Sequence, residues 1–274
     1  MKYISLKAGI ISTLTALLLF LLSSATLLPP TGAYCAENNS IKFYYFNPDS
    51  AQTNLTRLKE VMEHFLQRNA LPLDFQPFAK FHDFHREMAT NRPAFVFLPE
   101  WYIQKNREQY KLTPLLQAVR QGQTTYRKVL LAAKDSKFTA QTLHNKTLAM
   151  TSMGEDASDI FSNLFNIASN SLNIIATPKD ADALFALVMH QVDAALVAKN
   201  NLQKIGALNP RITDIVAPLA ESRPIPLPLL CVVDQVPSKK VMMLKKVFME
   251  AKRSDESANL MEMLQIDAWN NYSH

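Results

Sequence analysis

Glycine and cysteine are scarce in this sequence of 274 residues, which has five glycines and two cysteines. Gly-rich phosphate loops and dinucleotide-binding fingerprints need clustered glycines, because the backbone must approach the ligand closely. Beyond residue 36 the glycines are isolated, at Gly122, Gly154 and Gly206. Two cysteines are too few for a disulfide scaffold or a thiolate zinc cluster. These absences exclude P-loop nucleotidases, the usual nicotinamide and flavin dehydrogenases, and small disulfide-rich folds.

The first 36 residues have the pattern of a secretory signal peptide. Two lysines precede residues 8–28, which carry no charge, and residues 29–33 (PPTGA) combine helix-breaking prolines with a small-x-small cleavage pattern. Cleavage is expected after Ala33 or Ala36, which predicts a periplasmic protein. The alternative is an uncleaved segment that anchors the protein to the inner membrane, since 21 uncharged residues are enough to span a bilayer.

The charged residues indicate no nucleic-acid partner. The sequence has 29 Lys and Arg against 24 Asp and Glu, and removal of the two leader lysines leaves a net charge of +3. The remaining charges are interspersed, without a basic stripe or block.

The two cysteines, Cys35 and Cys231, allow two interpretations. In an oxidising compartment they could pair. Alternatively, Cys231 is a buried thiol within the apolar run 227–233, because free cysteine is among the most buried residue types.

Short β-rich runs alternate with helical patterns along the rest of the chain. The first alternation predicts strands at 41–46, 73–76 and 94–98, and helices at 51–69, from 81, and at 100–110. The second predicts strands at 127–133, 147–150, 172–176, 192–198 and 212–216. A proline-rich crossing, a strand at 229–233 and two helices follow. Two such alternations imply an α/β protein with two lobes.

Two helix starts are predicted within the second alternation. Ser152 and Glu155 have capping-box spacing, which predicts a helix that opens at Ser152. Thr177-Pro178 has the pattern of an N-cap followed by a first-turn proline, for a helix that runs to about His190.

The order of several segments resembles the type 2 periplasmic solute-binding proteins, particularly their phosphate/phosphonate-type branch. These segments are IKFYYFNPDSAQT, FVFLPEWYI, LTPLLQAVRQGQTTYRKVLLAAKDS, TLHNKTLAMTSMGEDASDIF, VDAALVAK and SRPIPLPLLCVV. The resemblance covers nearly all of residues 40–270. It implies a two-lobed fold in which each lobe is a mostly parallel sheet flanked by helices and two crossing strands join the lobes. Lobe 1 is expected to comprise residues 37–124 and 220–274, and lobe 2 residues 125–219.

The sequence departs from this family where the anion is held. The phosphonate branch presents a Ser-Thr-Ser-like cluster at a helix N-terminus, whereas Glu155-Asp156-Ala157 lies near that position here. Two carboxylates at a helix start neutralise its dipole and repel phosphate. This departure from the resembled family predicts a divergent member whose ligand is not phosphate or phosphonate. Alternatively, Glu155 only caps Ser152 and Asp156 is an ordinary first-turn residue.

The candidate ligand-binding residues lie where the family's cleft would be. Aromatic rings follow the predicted strands and could sandwich an organic or cationic ligand, although core packing or hinge support explains any single ring better. These rings are Phe46, Trp101, Tyr102 and Tyr126; the polar candidates are Asn47, Asp49, Thr151, Ser152, Glu155 and Asp156. No metal site, cofactor or catalytic residue is expected: His82 and His85 share a helix face without a third ligand, and no Gly-x-Ser-x-Gly elbow is present.

The function predicted from the sequence is an exported, monomeric solute-binding protein without enzymatic activity. It would capture a small molecule between its lobes for an ABC-type membrane transporter, closing by hinge motion. The alternative is an interaction or sensory protein with the same fold, which partners a membrane sensor or an envelope complex with little or no ligand transport.

Overall fold

The computed structural model describes residues 41–50, 54–167, 172–234, 236–252 and 257–273, without the side chain of Glu155. The predicted signal peptide and Cys35 lie outside these residues. None of the described helices is both long and apolar enough to cross a membrane.

The described elements alternate between strands and helices. The strands are β1 (Ile41–Tyr45), β2 (Leu73–Pro77), β3 (Phe95–Leu98), β4 (Thr113–Val119), β5 (Thr125–Tyr126), β6 (Lys128–Ala133), β7 (Thr147–Thr151), β8 (Asn173–Thr177), β9 (Ala194–Ala198), β10 (Val216–Glu221), β11 (Ile225–Pro226), β12 (Leu229–Val232) and β13 (Ala268–Asn271). The helices are α1 (Leu55–Arg68), α2 (Phe81–Thr90), α3 (Glu100–Tyr110), α4 (Ala157–Phe165), α5 (Asp180–Val188), α6 (Lys199–Leu208), α7 (Pro210–Ile215), α8 (Ser238–Glu250) and α9 (Ala258–Leu264). Short 3-10 turns lie at Ala140–Thr142 and Gly154–Asp156.

One sheet, which with its helices we call lobe 1, has the strand order β13-β4-β12-β3-β1-β2. β1 pairs in parallel with β2 and β3, because α1 and α2 carry the chain back between these strands. The predicted apolar stripe of α1 is buried at Leu58, Met62, Phe65 and Leu66, and Asn54 caps this helix by accepting a hydrogen bond from the Arg57 backbone N–H. β12, β4 and β13 complete the sheet in antiparallel pairings.

The other large sheet, which with its helices we call lobe 2, has the strand order β10-β6-β9-β7-β8. β7 pairs in parallel with β8 and β9, whereas β6 pairs antiparallel to β9 and β10. The two-lobed α/β fold is confirmed, but the sheets are mixed rather than mostly parallel. In each lobe the strands next to the crossings pair antiparallel with their neighbours. These strands are β4 and β12 in lobe 1, and β6 and β10 in lobe 2.

β5 and β11 form the crossing between the lobes. They pair with each other antiparallel, with Tyr126 opposite Ile225 and Thr125 opposite Pro226. β5 connects β4 of lobe 1 to β6 of lobe 2, and β11 returns the chain from β10 to β12. The two crossing strands therefore form one hydrogen-bonded ribbon. The exact domain boundaries proposed above stay a prediction.

Three predicted elements of lobe 2 differ from the structure. The helix predicted to open at Ser152 starts instead at Ala157, after the 3-10 turn, and neither turn nor helix has a side-chain cap. The capping box is therefore wrong. Gly154 has a φ of +74°, so the backbone turns there before a helix can begin.

Thr177 is not the N-cap of the next helix. It is still paired with Thr151 in the sheet, and α5 begins at Asp180 after Lys179. The strand predicted over residues 212–216 is also wrong. Pro210 occupies the first turn of α7, where the fixed φ of proline favours a helix, and the strand starts only at Val216.

Aromatic side chains dominate the interior of lobe 1. Phe43 packs edge-to-face on Phe75 and Phe248 on one side of the sheet, and Phe46 stacks on Phe84 on the other. Cys231 of β12 is fully buried in the same cluster as Phe46 and Phe84, which confirms the prediction of a buried strand thiol. Burial raises the pKa of the Cys231 thiol, so it stays protonated and unreactive.

Candidate functional site

A cavity of about 360 Å³ lies between the lobes, beside the crossing strands. α3 of lobe 1 forms one wall. The 3-10 turn at Gly154–Asp156 and α4, both of lobe 2, form the opposite wall. The charged and aromatic residues that line the cavity are Glu100, Trp101, Lys105, Tyr126, Lys128, Asp156, Asp159 and Arg223. A larger groove of about 830 Å³ lies on lobe 1 between α1, α8 and α9, but it contains no predicted site residue. We therefore place the candidate site in the cavity between the lobes.

Trp101 is an aromatic residue that contacts both lobes. Its ring lies 6.0 Å from Phe81 and 5.9 Å from Tyr102, and it also packs against the hydrophobic core of lobe 2. Its indole Nε1 is buried without a hydrogen-bond partner among the described residues. An indole N–H normally finds an acceptor when it is buried, so this donor is left unsatisfied among the described residues.

The charges around the cavity are of both signs. Lys105 of α3 forms an ion pair with Asp156 across the junction between the lobes. Burial raises the pKa of the Glu100 carboxyl, against the opposing effects of Arg223 and a hydrogen bond from Gln104. Asp159 lies on the lobe 2 wall.

A buried polar network lies immediately beside the cavity. The Asp49 carboxylate accepts hydrogen bonds from Lys128 Nζ at 2.5 Å, from the Tyr126 hydroxyl at 2.5 Å and from the Thr151 hydroxyl at 2.8 Å. Asp49 follows β1 of lobe 1, whereas Lys128 and Thr151 belong to β6 and β7 of lobe 2. Lys128 and Thr151 are fully buried, and Asp49 is 8% exposed. A buried ion pair therefore connects the two lobes.

The electrostatics of Asp49 follow from these contacts. Burial alone would raise the pKa of its carboxyl, but the Lys128 ammonium and the three hydrogen bonds outweigh this and hold the pKa below its ordinary value. Burial and the adjacent carboxylate raise the pKa of the Tyr126 hydroxyl well above its usual range. Asp49 is thus ionised and Tyr126 is a neutral donor at neutral pH.

A second set of contacts supports this network from lobe 2. Asn201 of α6 donates to the Asp49 backbone carbonyl at 3.3 Å and to the Asp180 carboxylate at 2.6 Å. Asp180 also accepts a hydrogen bond from the Ala198 backbone N–H at 3.0 Å. Ser222 Oγ accepts the backbone N–H of Lys128 at 2.9 Å. These contacts fix the positions of both the loop after β1 and the start of β6.

The structure brings some predicted site residues together and separates others. Asp49, Tyr126 and Thr151 lie in one network, while Trp101, Tyr126 and Asp156 line the cavity. Asn47 accepts a hydrogen bond from the Asp49 backbone N–H within the turn. Ser152 is partly buried and does not line the cavity, and the side chain of Glu155 is outside the description.

Phe46 and Tyr102 lie in the core of lobe 1 and do not line the cavity. The ring of Phe46 stacks on Phe84 at 4.9 Å. Tyr102 is fully buried, and its hydroxyl lies 3.1 Å from Nδ1 of His85, one of the two histidines considered above as metal ligands. Core packing therefore accounts for both aromatic rings.

Sequence reasoning missed Lys128, Asp180 and Asn201. The one available signal is that Lys128 directly precedes the apolar run 129–133 and belongs to the same strand, β6. A lysine in a buried strand needs an anionic partner. That partner is 79 residues away in the sequence, so no local spacing indicates it.

The lobes also approach closely at Gly154. A Cβ atom at this position would lie 2.5 Å from Cε1 of Phe81 at the start of α2. Glycine is therefore favoured here both by its left-handed φ and by the nearby aromatic ring of the other lobe.

Comparison with solved structures finds the same fold in several binding proteins. A binding protein component of an ABC phosphonate transporter from Pseudomonas aeruginosa is similar with a TM-score of 0.67 and 14% identity, over 85% of this chain and 81% of that one. PhnD1 from Prochlorococcus marinus, in complex with methylphosphonate, has a TM-score of 0.67 and 13% identity, over 85% and 93%. A Xanthomonas citri protein bound to ATP has a TM-score of 0.67 and 12% identity, over 85% and 91%. At these identities the similarity shows the fold.

The sequence itself shows the family. A search of curated proteins finds no match. The family described as "ABC transporter, phosphonate, periplasmic substrate-binding protein" matches residues 44–274, which include every strand and helix described above except the first three residues of β1. The two-lobed fold, the crossing strands and this match agree, and the chain therefore belongs to the phosphonate-binding family of periplasmic ABC substrate-binding proteins.

Proposed function

We propose that this protein is exported to the periplasm and captures a small molecule in the cavity between its lobes, for delivery to a membrane permease. The family is a solute-binding component of ABC transporters. We further propose that the protein acts as a monomer and without enzymatic activity, and that the ligand is a neutral or cationic molecule rather than phosphate or a phosphonate.

The observation that carries the proposed ligand class is the position of Asp49. Its carboxylate accepts hydrogen bonds from the Lys128 ammonium and from the Tyr126 and Thr151 hydroxyls, three buried donors beside the cavity. With Lys128 neutralised in this way, three carboxylates of the lining face two cations. These are Glu100, Asp156 and Asp159 against Lys105 and Arg223. The net negative charge of the lining therefore repels a dianion such as phosphate or a phosphonate.

Trp101 supports a ligand with an organic part. The indole offers an aromatic face at the cavity wall. An aromatic face binds planar or cationic groups. The cavity volume of about 360 Å³ fits a small metabolite.

A thermal-shift screen of the purified protein tests this proposal, since a ligand that binds the folded state raises the apparent Tm. The probes are arginine, spermidine and glycine betaine as cations or zwitterions, and inorganic phosphate and methylphosphonate as anions. We expect stabilisation by a member of the first group only. Micromolar binding of phosphate or methylphosphonate in calorimetry would overturn the ligand class. No stabilisation by any solute in a wider library would favour the interaction or sensory alternative.

Tryptophan fluorescence gives an independent readout of the site. The chain has two tryptophans: Trp101 at the cavity and Trp269, which is buried in the core of lobe 1. A ligand in the cavity is expected to change the Trp101 emission, so Trp101→Phe should lose the response. The matched control, Trp269→Phe, should retain it. The reverse pattern would move the binding site away from the cavity.

A further inference from the structure

The Asp49 carboxylate has the surroundings of a bound ligand. All three side-chain donors to it come from residues at least 77 positions away in the sequence. The donors are one ammonium and two hydroxyls, which is the set that a small oxyanion prefers. They belong to β5, β6 and β7, whereas the carboxylate enters from the loop after β1.

The donor set is positioned independently of the carboxylate. Tyr126 and Lys128 lie on either side of the junction between β5 and β6, and the backbone N–H of Lys128 is held by Ser222. Thr151 is the last residue of β7, and it pairs with Thr177 of β8. Because the backbone positions of these residues are set by strand pairing, the donors should remain convergent when the carboxylate is removed.

Lys128 makes an anion necessary at this position. Its side chain is fully buried, and the acceptors within hydrogen-bond distance of Nζ are Asp49 Oδ1 at 2.5 Å and Thr151 Oγ1 at 3.2 Å. An ammonium in such a site is stable only when paired. The other carboxylate that faces Lys128 is Asp180, which is held by Asn201 and the backbone of Ala198.

We propose that Tyr126, Lys128 and Thr151 form a small-oxyanion site, and that Asp49 is a tethered anion that fills it. The tether gives the Asp49 carboxylate a high effective concentration, so free anions compete poorly in the wild-type protein. Removal of the side chain opens the site to a free carboxylate or phosphate. The lobes are thereby held together by the protein's own anion, without an external one. This inference does not depend on the transport role proposed above.

Chemical rescue of Asp49→Ala tests the site. The probes are sodium formate and sodium phosphate, each compared with sodium chloride at equal ionic strength. We expect Asp49→Ala to have a lower Tm than the wild type, and formate at about 100 times its Kd to raise that Tm by about 5–10 °C. The wild type should show no such rise. Rescue by formate alone, or by phosphate as well, reports the size of the opened site, and either supports the proposal.

Asp193→Ala is the matched control. Asp193 also pairs with a lysine, Lys146 at 3.2 Å, and accepts a backbone N–H, but its side chain is 35% exposed. Formate should not raise the Tm of this variant. An equal rise in the wild type, Asp49→Ala and Asp193→Ala would reveal a general salt effect and overturn the proposal.

Two further variants keep the test decisive. Asp49→Ser removes the charge but keeps a hydroxyl beside Lys128, and it serves if Asp49→Ala does not fold in either salt; the expected rescue is the same. Adding Lys128→Met to the Asp49 variant should abolish rescue. A folded Asp49 variant that formate does not stabilise overturns the inference. Because none of these measurements uses a solute of the cavity, their failure is distinct from failure of the proposed function.

Discussion

The side-chain amide of Asn201 donates to the Asp180 carboxylate at 2.6 Å, and this contact places a second buried carboxylate beside the Asp49–Lys128 pair. Asp180 is 3% exposed, and its Oδ1 has no hydrogen-bond partner among the described residues. Two carboxylates thus share one lysine. The two carboxylates differ in their electrostatics, because Asp49 receives the Lys128 hydrogen bond and Asp180 does not.

Asp180 should make the protein less stable as the pH rises. Burial raises the pKa of its carboxyl from 3.8 to about 6; Lys128 and the hydrogen bonds from Ala198 and Asn201 oppose this rise, and the negative charge of Asp49 adds to it. The folded state thus holds this proton more tightly than the unfolded state. The resulting stabilisation is fully present below pH 3.8 and is lost as the pH rises through about 6.

Asp180→Asn removes this titration. Urea denaturation between about pH 4 and about pH 7 should show the wild type losing stability relative to the variant. The opposite contribution of Asp49, whose pKa is lowered, is lost only as the pH falls below 3.8, outside this range. Parallel pH profiles for the wild type and Asp180→Asn would contradict the prediction.

Replacement of Lys128 alone should be strongly destabilising. Lys128→Met leaves the Asp49 carboxylate buried without its cation, which is expected to cost about 3–5 kcal/mol of unfolding free energy. Asp49→Asn combined with Lys128→Met removes both charges. The double variant should therefore lose less than the sum of the two single variants, by at least about 1 kcal/mol in a double-mutant cycle. Additive losses would mean that the two side chains do not interact energetically.

The more exposed ion pair between the lobes, Lys105 with Asp156, should contribute little. Lys105 has 53% of its side chain exposed and Asp156 has 24%, so water screens their interaction. Lys105→Met is expected to change the unfolding free energy by less than about 1 kcal/mol, and high salt should remove that difference. The same substitution at Lys128 provides the buried comparison. A loss at Lys105 as large as that at Lys128 would contradict this ranking.

Gly154→Ala should cost more stability than Gly122→Ala. Both glycines have a left-handed φ, of +74° and +71°, which costs an alanine about 1–2 kcal/mol. At Gly122 nothing lies within 4 Å of the added Cβ, whereas at Gly154 the Phe81 ring lies at 2.5 Å and must move. Chemical denaturation measures both losses. Equal losses would show that the Phe81 ring moves aside without cost.

The sequence predicted the fold class better than the details of lobe 2. Apolar runs such as the one that forms β3 and the amphipathic stripe of α1 are local patterns, and the structure has both elements. The run 212–216 is too short for periodicity to distinguish a strand from a helix, and the Asn209-Pro210 pair that starts α7 is the stronger signal. At Ser152 the capping pattern is present, but the left-handed Gly154 delays the helix.

The candidate site could be predicted only in part. Residues at strand ends, such as Asp49 and Thr151, were identified because the resembled fold brings these ends to the cleft. Their common partner, Lys128, was not predictable from the sequence, because its ion pair with Asp49 joins residues on different lobes. Asp180 and Asn201 likewise meet through tertiary packing of α5 and α6, which leaves no spacing pattern in the sequence.

Tyr126 belongs at the same time to the crossing ribbon, to the cavity wall and to the hydrogen-bond shell of Asp49. A solute that displaced the Tyr126 ring would therefore disturb both its hydrogen bond to Asp49 and its pairing with Ile225. One residue thus couples the cavity wall to the contact between the loop after β1 and the crossing strands.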